Sequence, residues 1–379
     1  MVHASYRQRG GEDAAVEREI ALLRRHGHAV LEYRRSNAEA SAPAALWAPG
    51  VTRELRALVA REAPDVAHVH NTHFAISPGA LRALHGAGVP LVHTLHNYRL
   101  LCANALLHRD GGPCEDCVGR RLAWPGVRHA CFRGSRLRSA GVVAVNAAHA
   151  ALGTWRDCVD RFVALTRFQL EKLVQGGIPR EKLCLKPNFV DPPPRPRSGL
   201  GEYALFAGRL APEKGVATLL RALELAPGVS ARVAGDGPLA GAVQAAAERR
   251  PGLSALGWRS ADDVRMLLAR ARCLVVPSEW YEPFGLVVIE AFACGVPVIA
   301  TQIGALPELV EHGRTGLLVT PRDPGALASA LEWAWKHPEE LALMGRRARA
   351  VYEAHYGPDR NHALLLEIYA AARASHGAA

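Results

Sequence analysis

The chain has 379 residues, 49% hydrophobic and 22% charged, with a formal net charge of +10. That length suggests two domains, or three, in a chain able to bury full apolar cores without staples. No apolar run reaches the roughly 18 residues of a membrane span, and "MVHASYRQRGGED" has no apolar signal segment, so a cytoplasmic protein is expected.

In chain order, a short first strand runs into "QRGGEDAA" (8–15), where Gly10 and Gly11 open a helix over 12–27. That helix carries apolar residues at helical spacing and closes on a glycine. Strands are expected at "HAVLEY" (28–33), "DVAHVH" (65–70), "PLVHTL" (90–95) and "RFVALT" (161–166). Between the last two lie Cys102, Cys114, Cys117 and Cys131, the middle pair as "CEDC". Four thiols have the ligand count of tetrahedral zinc, although the outer spacings match no standard module. Structural zinc and reduced thiols both stay open. The stretch 118–140 holds Arg120, Arg121, Arg128, Arg133, Arg136 and Arg138 with no acidic residue. It reads as a solvated basic surface, a docking patch for an anionic membrane, or a site for an anionic acceptor. No nucleic-acid-binding signature accompanies the charge, so no nucleic-acid partner is expected.

"KPNFVDPPPRPRSGLGEY" (186–203) has five prolines and continues neither helix nor central strand, so it is the linker. The alternation then restarts with strands at "YALFAG" (203–208), "VSARVAG" (229–235), "LSALGW" (253–258), "CLVVPS" (273–278) and "VPVIAT" (296–301), and the chain ends in helices. Strands alternating with amphipathic helices predict parallel α/β sheets. The expected organisation is an N-terminal Rossmann-like domain (1–190), a hinge (191–202), a second Rossmann-like domain (203–360), and a terminal helix (361–379) returning to the first. Ligands of such sheets bind beyond the strands' carboxyl ends, here in a cleft between the domains.

The chemistry concentrates in "EPFGLVVIEAFACG" (282–295), which sets Glu282 and Glu290 in an otherwise apolar run. Pro283 in a first turn and Gly295 beyond the end would frame a buried helix of about ten residues. An unpaired buried carboxylate costs several kcal/mol, so either a ligand or a structural ion pair must meet each. In "FAGRLAPEKG" (206–215), Gly208 turns out of a strand and Arg209 and Lys214 follow, with a helix starting near Lys214. Two cations beside helix-start amides form a general anion site. Gly235, in "VAGDGPL", marks another strand end on the same side of that sheet.

Glu-x7-Glu, "GRLAPEKG", "GDGP" and "PNFVD", in this order and spacing, resemble the retaining glycosyltransferases of family 4, and the resemblance covers nearly the whole chain. It implies a GT-B fold and transfer of a hexose from a nucleotide diphosphate sugar to a hydroxyl acceptor, in glycan, glycolipid or surface polysaccharide synthesis. It further implies that Glu290 accepts hydrogen bonds from the ribose. Glu282, with the amides of Phe284, Gly285 and Leu286, would meet the donor sugar. Arg209 and Lys214 would hold the diphosphate, with Gly208 and Gly235 lining the donor site and Gly10 and Gly11 closing over it. His96, in "TLHNY", matches a histidine near the reacting sugar, while His70, Asn71 and His73 belong to the acceptor side. The two cations would take the place of a catalytic metal. A UDP-sugar is favoured, with GDP- or ADP-sugars as alternatives, and a glycan or lipid-linked acceptor at the inner face of the membrane.

This sequence departs from the family in Asn97, where aspartate is common, and in Ala305, where many relatives carry a second glycine. The rival readings are a GT-B nucleotide-sugar epimerase and a non-catalytic basic protein that binds lipid or nucleic acid.

Overall fold

The computed structural model describes residues 1–6, 10–38, 45–193, 197 and 199–376. Gln8 and Arg9 of the glycine stretch, four residues of the proline-rich segment (194–196 and 198) and residues 377–379 lie outside the described residues. The chain divides into two compact units. One comprises Met1–Leu107, Cys114–Asn188 and Asn361–Ala379, and the other His108–Pro113 and Phe189–Arg360.

The first unit is built on β1 (Val2–Ser5), β2 (Tyr33–Ser36), β3 (Ala67–Asn71) and β4 (Leu91–Thr94). A two-stranded hairpin, β5 (His108–Arg109) and β6 (Gly112–Pro113), belongs to the second unit. The first sheet is completed by β7 (Arg161–Ala164) and β8 (Leu183–Leu185). Its order is β2-β1-β3-β4-β7-β8 and every neighbour pair is parallel. β3 and β4 are buried along their whole length, as parallel strands covered on both faces must be. The helix Gly11–Arg25 packs through Ala15, Val16, Glu19, Ile20, Leu22 and Leu23, so a glutamate sits inside its apolar stripe.

One expected strand is displaced. Residues 28–32 are irregular, and β2 starts at Tyr33, paired with Val2. The apolar run "AVL" therefore belongs to the connection, and Leu31 is exposed. The true edge strand, "YRRS", is polar, which is how an edge is kept from pairing with another chain. β8 and the hairpin are too short to have been expected from patterning.

The second unit holds β9 (Tyr203–Ala207), β10 (Ala231–Ala234), β11 (Leu253–Gly257), β12 (Ala271–Val276), β13 (Val298–Thr301) and β14 (Gly316–Val319). They lie parallel in the order β11-β10-β9-β12-β13-β14. Counted within the unit this is 3-2-1-4-5-6, the order of dinucleotide-binding sheets, and it reverses between β9 and β12. The corresponding reversal in the first sheet falls between β1 and β3. Arg197 is tied to the second unit, its amide to the Cys294 carbonyl (2.8 Å) and its guanidinium to the Arg272 carbonyl (3.0 Å).

The chain ends in three helices, Pro324–Lys336, Pro338–His355 and Pro358–Ser375, each opening on proline, whose missing N–H costs nothing there. From Asn361 the last helix belongs to the first unit, where Ile368 and Ala372 pack with Val92 and Val163. No helix among the described residues is long and apolar enough to cross a membrane.

Candidate active site

At the reversal of the second sheet, β9 ends and Gly208 leads through Arg209 into a single 3-10 turn, Pro212–Lys214. The α-helix starts only at Val216, after Gly215 in the left-handed region, and not near Lys214. A Cβ on Gly215 would lie 1.8 Å from the Pro277 carbonyl oxygen, so only glycine lets this turn close against the end of β12. That closure sets Lys214 beside Glu282, with Nζ donating to Oε1 at 2.6 Å. Ser278 Oγ donates to the same oxygen at 2.7 Å, and the ammonium lies 5.0 Å from the Trp280 ring centre. Glu282 is buried, so its charge is met by one cation and one hydroxyl. Arg209 pairs with the buried Glu213 while its own side chain is more than half exposed.

The loop after β13 presses on the same point. A Cβ on Gly304 would come within 2.8 Å of the Glu282 amide nitrogen, and the Ala305 amide donates to the Glu282 carbonyl at 3.2 Å. Ala305 is fully buried, so the missing second glycine leaves this approach intact.

The glutamate segment folds differently from expectation. The helix is Leu286–Ala293, eight residues, with Gly285 (φ 107°) as its N-cap. Pro283 and Glu282 precede it in the loop, because Gly285 leaves the helical region and ends the helix there. The two glutamates thus stand on different elements, Glu282 on the buried loop and Glu290 half-buried on the helix. Phe284 is buried, its ring 6.1 Å from that of Tyr356. Gly235 interlocks with Gly208, whose carbonyl oxygen would lie 1.9 Å from a Cβ at 235.

In the first unit, Gly10 caps the helix Gly11–Arg25 and its amide donates to Asp13 at 3.0 Å. Asp13 also meets His3 Nε2 at 2.8 Å. Burial raises the Asp13 carboxyl, but the His3 ring and the Gly10 amide outweigh it and hold it below its ordinary range. His70, Asn71 and His73 come from β3 and its end, and all three are buried. Asn71 is spoken for structurally, its Nδ2 donating to the Ala4 carbonyl at 3.0 Å across to β1. His73 Nε2 lies 3.2 Å from Asn146 Oδ1. His96, half-buried beyond β4, has Nε2 2.9 Å from His70 Nδ1. Burial pushes its pKa down to about 3, so the ring is neutral. Asn97 turns away, its Nδ2 reaching Tyr6 Oη at 3.3 Å.

Sequence reasoning missed four groups. Ser278 and Trp280 flank Glu282, and their proximity in "PSEWYE" was a usable signal. Glu19 was visible as an acid in a helix's apolar stripe. Its cation, Lys186, lies 167 residues on at 2.8 Å, and nothing local announces it.

The cysteines 102, 114, 117 and 131 share one irregular region. Burial pushes the Cys117 thiol up to about 11, with the other three thiols among the contributors. Cys102 Sγ lies 2.9 Å from Asn104 Oδ1. Among the described residues, the set of three ligating side chains found within 4.8 Å of one another is Glu19, His68 and His70, not these four.

Two family models match: Glycosyltransferase Family 4 over residues 8–193 and Glycosyl transferases group 1 over residues 201–337. Glycogen synthase of Mycobacterium tuberculosis is 40% identical over 163 residues, 41% of this chain and 38% of that protein. D-inositol 3-phosphate glycosyltransferase of Streptomyces scabiei is 38% identical over 203 residues, 48% of this chain and 45% of that protein. The match thus spans less than half the length of these curated relatives. Among solved structures, Anabaena Alr3699/HepE in complex with UDP and glucose superposes with a TM-score of 0.68 at 20% identity, over 97% of this chain and 98% of that one. At that identity the likeness speaks for the fold.

Proposed function

This chain belongs to glycosyltransferase family 4 and has the GT-B fold, and from that footing we propose that it transfers a hexose from a nucleotide diphosphate sugar to an acceptor hydroxyl, with retention at the anomeric carbon and without a catalytic metal. The observation that carries the reading is the Lys214–Glu282 pair, 2.6 Å apart, at the strand-order reversal of a 3-2-1-4-5-6 sheet. Ligands of such sheets bind beside that reversal.

In this reading the breaking sugar–phosphate bond loads negative charge onto the departing diphosphate. Arg209 and Lys214 stabilise that charge where it develops, as preorganised cations that need no reorganisation in the transition state. Glu282 fixes the Lys214 ammonium through one N–H, leaving two for phosphate oxygens, and its second carboxylate oxygen serves a sugar hydroxyl. The amides of Gly285 and Leu286 start the helix Leu286–Ala293 and have no intrahelical acceptor, so they add donors beside the same sugar. Glu290 accepts from the ribose hydroxyls. UDP is the favoured nucleotide because HepE binds it.

Calorimetric titration of UDP, GDP and ADP into the wild type and Glu290→Ala tests this. One nucleotide is expected to bind the wild type, and the variant to lose about 1–3 kcal/mol, roughly 5- to 150-fold. Absence of binding by all three to a folded wild type would overturn it.

The acceptor is a glycan or a lipid-linked hydroxyl presented at an anionic membrane. Leu122, Trp124 and Leu137 are exposed among the arginines of 118–140, with Leu137 at 84%. Apolar tips amid cations suit a headgroup interface better than plain solvent. Flotation with vesicles rich in anionic lipid should carry the protein and lose it at high salt or in Arg136→Glu. Equal flotation with zwitterionic vesicles would remove the membrane from the reading.

A further inference from the structure

Beneath the carboxyl end of the first sheet lies a buried polar network that the donor chemistry does not use. Glu19, from the helix Gly11–Arg25, is 4% exposed, and Lys186, just past β8, is 1% exposed. Lys186 Nζ donates to Glu19 Oε2 at 2.8 Å and to Asn361 Oδ1 at 3.1 Å. The other carboxylate oxygen, Oε1, faces His68 Nδ1 at 3.0 Å and His70 Nε2 at 3.4 Å. His68 and His70 are alternate residues of β3, so they share one face of the sheet, and their rings stack at 4.3 Å. His68 Nε2 meets Thr94 Oγ1 at 2.7 Å, and His70 Nδ1 meets His96 Nε2 at 2.9 Å.

Glu19, His68 and His70 could in principle ligate a metal. The lysine argues otherwise. A fully desolvated ammonium already neutralises Glu19, and a dication placed beside it would be repelled at low dielectric. The Glu19 carboxyl is raised by burial, but Lys186 and the two rings outweigh that and hold it well below the usual carboxylate range. Glu19 is therefore an ionised acceptor that needs N–H donors.

Proton positions then follow from counting. A neutral imidazole has one N–H and one lone-pair nitrogen, and the partner of one fixes the other. His70 Nε2 and Glu19 Oε1 are both buried without a hydrogen-bond partner and stand 3.4 Å apart, while His68 Nδ1 has the Tyr369 hydroxyl at 2.9 Å, so we place the proton of His70 on Nε2, facing the carboxylate. His70 Nδ1 is then bare and must accept. Among the described residues the donor it meets is His96 Nε2, which therefore carries the proton of the His96 ring. His96 Nδ1 is left as a lone-pair nitrogen, and among the described residues no group hydrogen-bonds it.

We propose that Glu19 and His70 are positioning residues: they lock His96 in the Nε2–H tautomer and leave Nδ1 to accept a hydrogen bond from a substrate hydroxyl. The relay runs Lys186, Glu19, His70, His96. It takes the place of the aspartate that commonly follows this histidine and that Asn97, bonded elsewhere, does not supply. A ring fixed this way can receive a hydroxyl proton donor but cannot donate to a carbonyl or ether oxygen. The part played by the hydroxyl rests on the transfer reading above, whereas the tautomer does not.

The test is a long-range proton–nitrogen spectrum of the protein labelled at its histidine rings, with His96 assigned by its loss in His96→Asn. The wild type should show His96 protonated at Nε2 alone across pH 6–8, with or without any nucleotide. In Glu19→Leu/Lys186→Met, which removes the buried ion pair without stranding a charge, His70 loses its anchor and His96 should become a mixture of tautomers. Initial rates should show kcat down on the order of tenfold with donor KM unchanged. His96 protonated at Nδ1 in the wild type would overturn the proposal without any variant. So would an unchanged tautomer in the folded double variant, or one equivalent of metal bound through His68 and His70. Failure of every nucleotide to bind would sink the transfer reading and leave the tautomer result standing.

Discussion

The ionisable groups inside apolar runs prove to be the informative residues. Glu282 is buried in the loop before its helix and shares one oxygen between Lys214 and Ser278. Lys214 has two roles in this reading, as the counter-charge of Glu282 and as a clamp on the diphosphate, and substitutions separate them. Lys214→Met strands a buried carboxylate and should cost about 2–4 kcal/mol of stability, because breaking a buried pair exceeds the worth of making it. It should also lower kcat by roughly 10²- to 10³-fold, the loss typical of one preorganised charge-stabilising donor. Lys214→Met/Glu282→Leu removes the stranded charge, so urea unfolding should recover most of the lost stability while initial rates stay depressed. Recovery of both would mean that the lysine only balances Glu282 and does not touch the diphosphate.

At the scale of elements, the glycines of the β9 loop divide by what each one meets. Gly215 sits at φ 68° with Pro277 where a Cβ would go, so Gly215→Ala should destabilise the protein by about 1–3 kcal/mol or more. Because that turn delivers Lys214, nucleotide affinity should fall with it. Gly208 has an ordinary φ, and a Cβ there would touch only the Phe206 ring at 3.8 Å. Gly208→Ala should therefore keep stability within about 0.5 kcal/mol while weakening nucleotide binding, if the bare backbone serves the ligand. Thermal melts and calorimetry on the two variants check both. These loops were the legible part of the chain, since strand ends marked by Gly208 and Gly235 place themselves once the alternation of strands and helices is seen. The helix after Glu282 was less legible, because a proline suggests a first turn but Gly285, in the left-handed region, starts the helix later. β2 was misplaced because an apolar triplet in a connection outscored an edge strand made of Tyr33, two arginines and a serine. Of the Glu19–Lys186 pair only the acid in the helix's apolar stripe was legible, since its cation lies 167 residues on and their meeting depends on the whole sheet being formed.

For the whole molecule, the buried histidines set how stability depends on pH. Burial pushes His73, His93 and His96 each down to about 3, and it lowers His68 and His70 as well. An unfolded histidine titrates near 6.5. Between about pH 6.5 and 3 the unfolded chain therefore binds protons that the folded chain refuses, and stability falls as pH falls. His73 and His93 are almost fully buried and each contributes a slope of up to about 1.4 kcal/mol per pH unit in that window. Asp13 and Glu19, held below their ordinary range, add the same sign at lower pH. Glu12 opposes them: burial pushes it up to about 8, so its neutral form favours the folded state and that contribution is lost as pH rises from about 4.5 to 8. One carboxyl against several imidazoles leaves the net slope positive. Urea midpoints at pH 8, 7, 6 and 5 should be nearly level between 8 and 7 and drop steeply below 6.5. Replacing His93 by glutamine, which keeps a polar ring-sized group but cannot ionise, should flatten the lower part of that curve by roughly one proton's worth. A curve flat down to pH 5 in the wild type would mean that these rings take up protons in the folded state, and the neutral network around His96 would have to be redrawn.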